Sequence, residues 1–112
     1  MKMSDKQLME LYVDTLTKCG LSLLKMSDED IEYNIFEEFD IGATTFLHDA
    51  VLQRLKMAGF INEAIEEKSK QLRYQYLSLQ SSACTVEAVK NDMRWRKVLG
   101  LADEIKKMIG IN

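Results

Sequence analysis

Few residues in this 112-residue chain could carry out chemistry, and each can be examined for a partner. The one histidine, His48, has no nucleophile or carboxylate at a spacing that would make it a general base. Thr45 stands three residues before it, where a di-iron bundle would need glutamate. Cys19 and Cys84 form no metal-ligand spacing and read as two reduced, half-buried thiols. His-Glu-x-x-His, the phosphate-binding loop and the dinucleotide-binding glycine fingerprint are absent. The residues therefore give no catalytic site, no metal site and no cofactor, and a non-enzyme is the expectation.

One constellation remains. Asp28, Glu29, Asp30, Glu32, Glu37, Glu38 and Asp40 put seven acids into 13 residues, with no Lys, Arg or His among them. On a helix at 100° per residue, Ile31, Ile35 and Phe39 share the inward edge. Glu29, Asp30, Tyr33, Asn34, Glu37 and Glu38 then share the solvent side. A solvated face accounts for most charge runs, but two details separate this one. If the helix ends near Phe39, Glu37 and Glu38 lie in its last turn, where each costs about 0.3–1 kcal/mol against the dipole, with no lysine four residues away to offset it. Tyr33 sits amid the acids, as an aromatic anchor at an interface would. Glu29, Asp30, Tyr33, Glu37 and Glu38 are therefore the candidate partner-binding residues. The chemistry they offer is electrostatic capture of a cationic protein surface, and nucleases present such surfaces because they hold phosphates.

The elements that position these residues are helical. The chain has no proline and five glycines, and it is 46% apolar and 29% charged, enough for one core without disulfides. Ser4 with Gln7 forms a capping box, and Leu8, Leu11, Tyr12, Thr15 and Leu16 follow at helical steps. Gly20 is expected to end that helix in the left-handed conformation, with Leu21 folded onto Leu16; Gly59, with Phe60 on Leu55, repeats the pattern. Ser27 caps a second helix running to about Phe39, before a turn at Asp40-Ile41-Gly42. A third starts after Thr44 or Thr45 and runs to Ala58, with Leu47, Val51, Leu55 and Ala58 inward and His48 at their boundary. A fourth follows Asn62 with Ile65, Ser69, Leu72, Tyr76 and Leu79 on one face, and a loop spans 80–84. Thr85 caps the last helical region, in which Val89, Trp95, Val98, Leu99, Ala102, Ile105 and Ile109 are the apolar positions. Unbroken to Ile109, that region would reach roughly 37 Å and barely fit a domain of this size, so a bend or break at Gly100 is expected. The expectation is an all-α single domain over residues 1–112, an irregular bundle of five or six helices.

Fifteen basic against 18 acidic residues, with an isoelectric point near 5.2, argue against direct nucleic-acid binding. The helix after Gly59-Phe60-Ile61 opens Asn62-Glu63-Ala64-Ile65-Glu66-Glu67, which would repel phosphates at the recognition position of a helix-turn-helix. Lys90, Arg94, Arg96, Lys97, Lys106 and Lys107 in the last region are interspersed with Glu87, Asp92, Asp103 and Glu104, a mixed solvated face. No apolar run is long enough for a membrane span, and the first residues lack the apolar core of a signal peptide, so a cytoplasmic location without membrane contact is expected.

Phe39-Asp40-Ile41-Gly42, Phe46-Leu47-His48, Leu55, Gly59-Phe60-Ile61, Ile65, Ser69 and Leu72-Arg73 together resemble the small helical immunity proteins of bacterial contact-dependent growth inhibition and related polymorphic toxin systems. The likeness spans the middle third to half of the chain and rests on apolar spacing around a helix-glycine-helix joint. It implies a cytoplasmic antidote that binds and neutralises a cognate toxin domain, commonly a nuclease. No shared motif sets the toxin-contacting residues of such proteins, so none are transferred. The alternative is a helical transcription regulator or adaptor.

Overall fold

The structure is a computed structural model that describes residues 3–111. Among them there is no strand, and six helices surround one apolar core. They are α1 (Asp5–Thr17), α2 (28–45), α3 (Asp49–Met57), α4 (Glu63–Leu79), α5 (Val86–Asn91) and α6 (Met93–Ile109), with a 3-10 turn at Leu21–Lys25. The Cα radius of gyration is 13.5 Å and the extents are 38 × 29 × 26 Å.

Side chains cap most helix starts where the sequence places them. Ser4 and Gln7 exchange hydrogen bonds at α1, completing the capping box. Ser27 caps α2, Asn62 caps α4 and Thr85 caps α5, each accepting the amide three residues on. Gly59 adopts a left-handed φ of 86°, and the Phe60 amide reaches the Leu55 carbonyl at 3.0 Å, which closes α3. On α4, Ile65, Ser69, Leu72, Tyr76 and Leu79 are all buried, as their spacing requires. Trp95 is buried too, with Nε1 donating to the Ala83 carbonyl at 2.8 Å, so the 80–84 loop is tied to α6.

Several expectations are corrected. Helix α1 ends at Thr17, and Gly20 is extended rather than left-handed, leaving Leu21 substantially exposed. The glycine serves close approach instead. A Cβ there would collide with the Asp103 carboxylate, which accepts the Leu21 amide at 3.0 Å, while Lys106 Nζ donates to the Cys19 carbonyl at 2.8 Å. His48 is not a half-buried residue at the edge of the apolar stripe within a helix. It is exposed and caps α3, Nδ1 accepting the Ala50 amide at 3.2 Å; Leu52 takes the buried position expected of Val51, and Ala58 is exposed. The thiols are not alike, since Cys19 is buried and Cys84 exposed. Burial raises the Cys19 thiol well above its ordinary pKa, against the opposing pull of Lys106. The last region breaks at Asp92, whose extended backbone ends α5 and whose carboxylate caps α6. Gly100 lies inside the unbroken α6.

The largest correction concerns α2. It does not stop at Phe39 but runs on to Thr45, through a π-helical stretch at Glu32–Phe39. There the Asp40 amide bonds the Ile35 carbonyl, five residues back. The cause is legible in the buried residues: Ile31, Ile35, Phe39, Ala43 and Leu47 are all fully buried, at strict steps of four. On a regular α-helix four residues turn about 400°, so such a line drifts roughly 40° per step and would leave the core. Widening the turn keeps each large side chain inward, where burial contributes about 1.5–3 kcal/mol. Gly42 lets the continued helix cross α1, because a Cβ there would collide with the Thr15 side chain.

Candidate protein-interaction face

With about four residues per turn, residues two positions away from the buried line must point outward. Glu29, Tyr33, Glu37, Ile41 and Thr45 are all exposed, a continuous line opposite Ile31, Ile35, Phe39 and Ala43. Tyr33 is 51% and Ile41 62% exposed, large apolar surface set between carboxylates. Of the five sequence-selected residues, Glu29, Tyr33 and Glu37 fall on this line, and Asp30 is exposed beside it. Glu38 is half-buried and acts beside it, accepting the Tyr33 hydroxyl at 2.5 Å. That bond spans five residues, a little more than one turn of the widened helix. It holds the phenol across the helix surface, and the same bond and the Glu38 charge raise the Tyr33 pKa.

The carboxylates are largely without counter-charges. Asp28 pairs with Lys90, but among the described residues no Lys or Arg lies within 4 Å of Glu29, Asp30, Glu32, Glu37, Glu38 or Asp40. Elsewhere three acids are paired across helices, in Lys56–Glu66 at 2.9 Å, Lys68–Glu104 at 2.8 Å and Arg54–Asp5 at 2.6 Å. Because α2 continues to Thr45, Glu37 and Glu38 are not in its last turn, and the expected dipole penalty does not apply. What remains is mutual repulsion, which a cationic surface would relieve.

Next to this line lies a third one, Glu32, Phe36 and Asp40, which forms one wall of an open cleft of about 680 Å3. Gln80, Cys84, Thr85 and Val86 form the other wall. Asp40 Oδ1 accepts from the Tyr76 hydroxyl at 2.5 Å and from Gln80 Nε2 at 2.8 Å. Burial, reinforced by that carboxylate, holds the Tyr76 phenol well above its ordinary pKa. Phe36, which lines the cleft, packs edge-on to Trp95 at 6.1 Å between centroids, and Trp95 to Tyr76 at 5.8 Å, so a buried aromatic cluster joining α2, α4 and α6 stands behind the cleft wall. With 40–42 read as a turn, neither Ile41 nor the cleft is visible in the sequence. The four-residue repeat of apolar residues was the signal that could have found them. Elsewhere, no group of three or more His, Cys, Asp or Glu is placed to hold a metal among the described residues. No helix among the described residues is long and apolar enough to cross a membrane.

Comparison with protein-family models, curated proteins and solved structures returned no match.

Proposed function

We propose that the chain is a cytoplasmic immunity protein that binds a cognate toxin domain of the nuclease class and neutralises it by covering its basic active site or substrate face. The observation that carries this reading is the exposed line Glu29–Tyr33–Glu37–Ile41, with carboxylates that no cation within the described residues offsets. Carboxylates at the rim would attract a phosphate-binding surface over a distance of about a Debye length, and Tyr33 and Ile41 would supply the apolar contact that slows release. The inhibition is stoichiometric: the protein occupies the site and turns nothing over.

The test is direct. An immunity protein should be encoded beside a large toxin gene, and its product should form a stable complex with the isolated toxin domain and suppress that domain's nuclease activity at equimolar ratio. A neighbouring toxin domain that neither binds the chain nor loses activity in its presence would refute the proposal.

A further inference from the structure

The carboxylate of Asp40 is half-buried beside the cleft and held by two neutral donors on one oxygen. Its other oxygen, Oδ2, is free for a further donor, and no cation lies within 4 Å of it among the described residues. Glu32 stands two widened turns away on the same wall, also without a counter-charge, and Phe36 lies between them. On a regular α-helix Glu32 and Asp40 would diverge by roughly 80° around the axis. The π-helical stretch brings them into one line, so that both acids and the ring border one cleft. A carboxylate with one oxygen already fixed by two donors, a second carboxylate on the same wall and an aromatic ring between them make a setting for a flat organic cation.

We infer that this cleft takes one arginine side chain of the protein bound by the neighbouring acidic face, with its guanidinium held by Asp40 Oδ2 and Glu32 against the Phe36 ring. The inference rests on the reading of α2 as a face for a cationic protein and adds the side chain that keys into it. Arginine fits better than lysine because a planar guanidinium can donate to two carboxylates while lying on an aromatic surface, which a compact ammonium cannot do.

The experiment needs no partner. The 15N-labelled full chain is titrated with Nα-acetyl-arginine amide, with the corresponding lysine and the neutral citrulline compounds as controls. Saturable shifts confined to amides of 32–40 and 80–86 are expected for arginine, with weaker shifts for lysine and none for citrulline. Asp40→Asn keeps an oxygen acceptor for Tyr76 and Gln80 and should weaken arginine binding by about tenfold. Glu32→Gln, at an exposed position, should weaken it with no change in fold. An equal response to citrulline or lysine, no saturable response, or affinity unchanged in both variants overturns the inference. Its failure is separable from that of the proposed function, because the probe reports on the cleft while complex formation with the toxin domain reports on the whole face. If the complex forms and the probe does not bind, the face stands and the arginine key falls.

Discussion

At the residue scale, single hydrogen bonds fix which side chains can change charge. Ser69 has one hydroxyl proton, and it is spent on the Ile65 carbonyl at 2.8 Å, so the Tyr12 hydroxyl must be the donor in the 2.6 Å bond to Ser69 Oγ. Burial pushes the Tyr12 pKa up to about 12. The unfolded tyrosine ionises near 10, so the contribution of neutral Tyr12 is complete below about pH 10 and is lost as pH rises through about 12. Tyr12→Phe should cost about 1 kcal/mol at neutral pH, and that deficit should shrink in urea melts between pH 9 and 12. A deficit independent of pH would contradict the burial of the phenol. His48 makes a different case. Its imidazole caps α3 through Nδ1, so His48→Gln should lower stability by about 0.5–2 kcal/mol while leaving binding to the toxin domain intact. Loss of binding in a variant that melts normally would move His48 into the functional site.

At the element scale, two glycines in helix interiors have opposite meanings. Gly100 has no atom within 4 Å of the Cβ position, and its surroundings demand no glycine, so Gly100→Ala should stabilise α6 by about 0.5–1 kcal/mol. Gly42 is pressed against Thr15 where α2 crosses α1, so Gly42→Ala should destabilise, and chemical denaturation of the two variants should shift in opposite directions. The same pair marks how far the sequence could be read. The run Asp40-Ile41-Gly42 resembles a turn, because glycine at a helix end and glycine at a helix crossing leave the same trace in a single sequence. Only the neighbouring α1 distinguishes them. Caps at Ser4, Ser27, Asn62 and Thr85 were legible because they are local, satisfied within three residues. The break at Asp92 was not, since an aspartate that ends one helix and caps the next looks like any surface acid. Helical spacing alone put Glu29, Tyr33 and Glu37 on one exposed line, because it tolerates a change of a few tenths of a residue per turn over short distances. The same spacing missed Ile41 and Asp40, where the accumulated drift decides the face.

At the scale of the whole molecule, charge is divided along the chain: residues 1–60 carry 11 acids and 6 bases, and residues 61–112 carry 7 and 9. In the folded protein much of the acidic excess is on α2, while Glu66 of α4 and Glu104 of α6 engage lysines across helices. A molecule so arranged approaches a cationic partner with one side preferred, and the rate of encounter should depend on the charge of that side while the lifetime of the complex depends on its apolar contacts. The tie between Tyr33 and Glu38 determines which substitutions can separate the two effects. Replacing Glu38 would release the Tyr33 hydroxyl and alter charge and anchor together. Glu29→Gln with Glu37→Gln removes two charges and leaves that bond untouched. This double variant should slow association with the toxin domain several-fold at low salt and flatten the dependence of the rate on ionic strength, with little change in dissociation. Tyr33→Ala should instead speed dissociation, at a cost of about 2 kcal/mol or more if the ring is buried by the partner. Neither variant should lower the melting temperature appreciably, because both sites are exposed and the removed carboxylates have no intramolecular cation. Stopped-flow association at several salt concentrations and dissociation after dilution measure the two effects separately. Unchanged rates in both variants would place the interface on another face and leave the acids of α2 to solvation alone.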